Sequence, residues 1–172
     1  MSEPRWLNDE EDRAWVALSA VLMWLPGELD AQLARDSDLR YVEYLVLSGL
    51  SMAPGRAARM GAIAELSNIN PSHLSRVAAR LEARGWLRRE PAPDDGRATI
   101  AMLTDAGWEK VVEAAPGHVE QVRRLVFEQL GPEQVAALGD IAQTIAQALR
   151  PGLGCPGTGE DDGSCGPFGA TC

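Results

Sequence analysis

A chain of 172 residues, 45% of them hydrophobic, can bury one sizeable core and is short for two. No apolar run approaches the roughly 20 residues of a membrane span, and the opening MSEPRWLNDEEDR lacks the basic-then-apolar order of a secretory leader, so no membrane partner and a cytoplasmic location are expected. The net charge of −9 speaks at first against nucleic acid, and three cysteines confined to the last stretch (Cys155, Cys165, Cys172) speak against a disulfide framework.

Asn8, with Glu11 three residues later, is a capping pair, after which Trp15, Leu18, Leu22, Leu25, Leu29 and Leu33 recur at spacings of three and four. This pattern predicts a long amphipathic helix, kinked at Pro26. A second helix is expected over 40–51 on the apolar face of Val42, Leu45, Val46 and Leu50, then a loop over 52–59 around Pro54-Gly55. Two short helices follow. Gly61 caps the first, which ends near Ser67; Asn68-Ile69 make the turn; Asn70-Pro71, a capping residue before a proline at the first helical position, opens the second over 71–84. Leu74, Val77, Ala78 and Leu81 form the buried face of that helix, and Gly85 ends it. Strands over 86–90 and 98–103, joined across Asp94-Asp95-Gly96-Arg97, read as a hairpin. Thr104-Asp105 cap a helix to about residue 130, kinked or interrupted near Pro116-Gly117. A last helix after Gly131-Pro132 carries Val135, Leu138, Ile141, Ile145 and Leu149. From 151 onward the chain turns to Gly, Pro, Asp, Ser and Cys, and a disordered tail is expected.

Charge is unevenly placed. Between residues 56 and 97 stand eight Arg (56, 59, 76, 80, 84, 88, 89, 97) against five acids, a balance of +3, leaving 8 basic and 20 acidic residues elsewhere, a balance of −12. Two short helices followed by a hairpin have the layout of a winged helix-turn-helix. In that arrangement the second helix lays its first residues into a major groove while basic neighbours neutralise phosphates. Ser72, His73, Ser75 and Arg76 are then the candidates for base edges, Arg76 with the fork that fits a guanine. Arg80, one turn later, suits phosphate. Arg97 at the hairpin tip suits an adjacent minor groove, with Asp95 orienting it.

The run Leu66-Ser67-Asn68-Ile69-Asn70-Pro71-Ser72-His73-Leu74-Ser75-Arg76-Val77, continued by Leu81-Glu82-Ala83-Arg84-Gly85-Trp86-Leu87, resembles the recognition-helix segment of MarR regulators. Asp94-Asp95-Gly96-Arg97-Ala98-Thr99, followed by Leu103-Thr104-Asp105-Ala106-Gly107, is similar to that family's wing signature. The resemblance covers about residues 10–149. It implies a mainly α fold: a winged helix-turn-helix over 39–103 with a two-stranded wing, helical dimerisation regions over 8–38 and 104–149, and a tail over 150–172. It also implies a homodimeric transcriptional regulator, most simply a repressor, on a palindrome of double-stranded DNA. A small aromatic effector would occupy a pocket for which Trp15, Trp24 and Tyr41 are the candidates. Two departures stand out: Met60-Gly61 occupy the place where many relatives have Ser or Thr, and no cysteine precedes Cys155, unlike the peroxide-sensing branch.

The sequence contains no Walker loop, nucleophile elbow, His-Glu-x-x-His or dinucleotide fingerprint, so neither catalysis nor a cofactor is expected. His73 and His118 lie far from the cysteines and offer no zinc spacing, so no metal is expected either. Two other readings stay open. Overall acidity fits a winged-helix module that binds a protein partner, and Cys155, Cys165 and Cys172 in Gly-rich surroundings fit a thiol-redox sensor.

Overall fold

The computed structural model describes residues 4–93 and 95–151, with the backbone alone at 95–97. The elements run α1 (Asp9–Ser37), α2 (Tyr41–Met52), a 3-10 turn (Pro54–Arg56), β1 (Ala57–Arg59), α3 (Met60–Leu66), α4 (Pro71–Ala83), β2 (Leu87–Ala92), β3 (Asp95–Leu103), α5 (Asp105–Leu125), a second 3-10 turn (Phe127–Gln129) and α6 (Pro132–Leu149).

The Asn8 side-chain oxygen accepts the N–H groups of Glu10 and Glu11 at 2.9 Å each, and Glu11 returns a bond to the Asn8 N–H. Three orphan N–H donors at the helix start, those of Asn8, Glu10 and Glu11, are thereby satisfied. The helix then continues through Pro26 as a single element. Only its C-terminal half is buried, at Leu29, Gln32, Leu33 and Ser37, whereas Trp15, Leu22 and Trp24 stand exposed. α2 lies in the centre: Tyr44, Val46, Leu47 and Leu50 are all buried, so its apolar surface extends well beyond the single face its periodicity suggests. Around it the core gathers Leu33, Leu39, Leu74, Val77, Leu81 and Leu87.

The two-stranded hairpin is present as β2 and β3, and the sheet it belongs to has a third strand that the sequence does not predict. β1 falls in the expected loop and pairs antiparallel with β3 (Ala57↔Met102, Arg59↔Ile100), giving the order β1-β3-β2. Ala57-Ala58-Arg59 carries no β-branched or aromatic residue; the strand exists because β3 offers a second edge. β2 and β3 extend further than expected, to Ala92 and from Asp95, with a register shift at Pro91/Ala92, where proline supplies no N–H. Two helix ends also differ. Gly61 lies inside α3, whose cap position is Arg59 with no side-chain cap bond. α5 runs uninterrupted through Pro116, packed along α1 and α2, and stops at Leu125 where the 3-10 turn begins.

α6 buries no residue against its own chain. Just past it, Arg150 donates to the carbonyl oxygen of Glu65 at the end of α3 (2.7 Å) and lies 3.6 Å from its carboxylate. Among the described residues no helix is long and apolar enough to cross a membrane. Cys155, Cys165 and Cys172 lie outside the described residues.

Candidate nucleic-acid interface

The turn between α3 and α4 is closed by backbone bonds from Ser67 to Ile63 (2.9 Å) and Ile69 to Ala64 (3.0 Å). It requires a left-handed residue, supplied by Asn68 at φ 50°. α4 then starts as its sequence dictates: the Asn70 side-chain oxygen accepts the Ser72 N–H (2.9 Å) and the Ser72 hydroxyl (2.7 Å), with Pro71 at the first helical position. Leu74, Val77, Ala78 and Leu81 are buried to within 1% of their surface, fixing the rotation of the helix. Ser72, His73, Ser75, Arg76 and Arg80 consequently face outward together. The Ser72 hydroxyl proton is already engaged by the cap, which leaves that oxygen free to accept.

Most of the basic block is taken up by internal ion pairs. Arg89 donates to Glu82 from its backbone N–H, Nε and a terminal nitrogen, at 3.0, 3.1 and 2.6 Å, clamping β2 to α4. Those bonds hold the Glu82 carboxyl below the usual carboxylate range. Arg84 grips the carbonyl and carboxylate of Asp38 while its guanidinium lies 3.8 Å over the Trp86 ring. Arg56 pairs with Asp105 and Arg88 with Glu90. Arg80 is half-exposed and donates from Nε to the buried Glu43 carboxylate at 2.9 Å. Arg76 makes no ion pair among the described residues. Arg97 and Asp95 lie on the β3 backbone, and their side chains fall outside the described set.

Two clefts flank α4. One, of about 570 Å³, is lined by Arg59, Glu65, Pro71, Ser75, Arg89 and Thr99, between α4 and the sheet. The other, of about 460 Å³, brings Tyr41, Asp30 and Arg40 together with His73 and Arg80. Of the three aromatic pocket candidates only Tyr41 lines it. Trp15 and Trp24 stand exposed, nine positions or about two and a half turns apart on α1, which sets them on opposite faces.

The partners of two further residues were not legible in the sequence. Glu43 joins α2 to α4 across a separation no spacing rule reveals. His118 packs its ring 4.5 Å from Tyr44 and 6.1 Å from Tyr41, with its Nδ1 buried and unpartnered. Burial pushes the imidazole below its ordinary value and both phenols above theirs. Among the described residues no group of three or more His, Cys, Asp or Glu could hold a metal ion.

A family model described as MarR family matches residues 37–98. Among solved structures the chain is similar to Sco3205, a MarR family transcriptional regulator from Streptomyces coelicolor crystallised in complex with DNA. The two are 43% identical, the match covers 88% of this chain and 95% of that one, and the TM-score is 0.81. AbsC, a MarR family transcriptional regulator of the same organism, is 34% identical over 86% of this chain and 99% of its own, with a TM-score of 0.78. Among curated proteins, the uncharacterized HTH-type transcriptional regulator YdcH of Bacillus subtilis is 32% identical over 92 residues, 52% of this chain and 62% of YdcH. The chain thus spans less than two thirds of that relative.

Proposed function

This chain belongs to the MarR family of transcriptional regulators, and we propose that it is a homodimeric repressor that sets its two α4 helices into successive major grooves of a palindromic operator. The observation that carries base reading is the outward row Ser72, His73, Ser75 and Arg76 on the first turns of a helix whose other face is locked in the core. Arg80 and Arg97 serve the backbone and the minor groove, Arg97 oriented by Asp95. The co-crystallisation of Sco3205 with DNA supports the same use of the fold here.

The exposed apolar face of α6 supports self-association. Its apolar residues Leu138, Ile141, Ile145 and Leu149 stand exposed, as do Trp15, Val16 and Leu22 on α1. A face of that size needs a cover, and a two-fold copy supplies one by burying the same residues twice. The helices over 8–38 and 104–149 are then the dimer, and 39–103 the reader, with half-sites about 34 Å apart.

Selection of bound sequences from random duplexes tests this. An inverted repeat is expected, with affinity falling steeply as salt rises. No enrichment even in dilute buffer would end the reading, and salt-insensitive capture of a protein partner would favour the protein-binding module instead. A small aromatic effector fits the cleft of Tyr41, His73 and Arg80, because an occupant would touch α4 and so bias the dimer geometry. For the thiol alternative, operator binding with and without oxidant, in the whole chain and in a version ending at Arg150, decides whether the cysteines act.

A further inference from the structure

We infer that Glu43 is a positioning residue for DNA binding: it holds Arg80 by Nε so that the terminal nitrogens of the guanidinium meet a phosphate in fixed orientation. This rests on the DNA-reading function proposed above.

The Glu43 side chain is only 5% exposed, and a carboxylate so deeply buried needs a partner for each oxygen. Oε2 accepts the Arg40 N–H at 3.0 Å, closing the first turn of α2. Oε1 accepts Nε of Arg80 at 2.9 Å. Arg80 reaches this carboxylate from the reader helix while half its side chain stays in solvent. A guanidinium carries five donors in a rigid plane, and engagement through Nε leaves the outer edge available for a second, bidentate acceptor. Held this way, the long side chain loses its torsional freedom during folding and not during encounter with DNA. The attachment reaches further. Asp30 on α1 accepts the Tyr41 N–H at 2.8 Å and pairs with the Arg40 guanidinium at 2.8 Å. A continuous polar chain therefore runs from α1 through the start of α2 to Arg80 on α4, and it sets where Arg80 stands relative to the long N-terminal helix.

The test uses the full chain with two duplexes, one of mixed sequence and one enriched by selection, titrated across a salt series. Glu43→Gln, Arg80→Ala and the double variant are compared with wild type. Glu43→Gln is expected to weaken binding about tenfold and to reduce the salt slope by about 1 per protomer, as Arg80→Ala does. The double variant should bind no worse than Arg80→Ala alone. A residue that serves only folding would lower the melting temperature without changing the salt slope. Unchanged affinity and slope in Glu43→Gln, or losses that multiply in the double variant, would overturn the role. Arg80→Lys gives an independent reading should Glu43→Gln fold poorly: a lysine paired with Glu43 has no second edge, so its slope should match Arg80→Ala. Wild-type behaviour in Arg80→Lys would mean that charge alone suffices. Wild-type protein that bound neither duplex would remove the DNA-reading function itself, an outcome distinct from wild-type binding with additive variants.

Discussion

The carbonyl oxygen of Trp86 occupies the space where a side chain on residue 107 would begin: a Cβ built on Gly107 would stand 2.0 Å from it. The same oxygen accepts the Thr104 N–H at 3.1 Å, and the Thr104 hydroxyl donates to Gly85 and accepts from Gly107. The Leu-Thr-x-x-Gly segment is thus where α5 is pressed against the turn that ends α4. Gly107→Ala is expected to destabilise the protein by about 3 kcal/mol, since the obstacle is backbone and cannot rotate away. Thermal unfolding at fixed protein concentration should show a drop of roughly 10 °C. Gly117→Ala is the comparison. Its Cβ would meet the Gln32 side chain at 3.2 Å, and the loss should be smaller.

Arg76 and Arg97 should fail in different ways. Arg76→Ala is expected to cost about 1–3 kcal/mol on the selected operator and much less on random DNA, because a base contact is what it loses. Arg97→Ala should weaken both more evenly. Competition binding measures the ratio, and equal losses for Arg76→Ala on every sequence would contradict base reading.

Acid should loosen the fold before the carboxylates protonate. The half-buried His118 imidazole is held below its ordinary value of 6.5, so the unfolded chain takes up the proton first. The stability this group contributes is complete above that value and declines as pH falls through it toward the depressed native one. Urea midpoints from about pH 8 to about pH 5.5 should fall in wild type and stay flatter in His118→Phe. Parallel curves would show that His118 does not carry the effect. Glu82, also lowered, acts at more acid pH and leaves this window clear.

Ile141 is 58% exposed in the single chain, so Ile141→Asp should leave the protomer folded while weakening the dimer. The change enters a two-fold interface twice, and the dimer dissociation constant should rise about tenfold or more. Sedimentation over a concentration series measures it, with helix content by circular dichroism as the check on folding.

α4 was legible because its signals are local: an Asn-Pro start, a 3.6-residue period in Leu74, Val77, Ala78 and Leu81, and Gly85 at φ 74° to end it. β1 was not, because Ala57-Ala58-Arg59 becomes a strand only through the distant edge of β3. Periodicity marked Trp15, Leu18 and Leu22 as apolar surface correctly, but it cannot tell burial in the chain's own core from a face left open for another molecule. The internal partners of the arginine cluster were equally hidden from the sequence. Net charge counts Arg84 and Arg89 with the rest, whereas they serve Asp38 and Glu82, partners that the fold brings near. Interactions at long sequence separation, Arg80 with Glu43 and His118 with Tyr44, leave no periodic trace.

The hold of Arg150 on Glu65 ties the end of α6 to the end of α3. A fluorescent protein or bulky purification handle fused at that point would crowd the approach to α3 and α4. Weak binding measured with such a fusion would report the handle, so binding assays call for a short or cleavable tag.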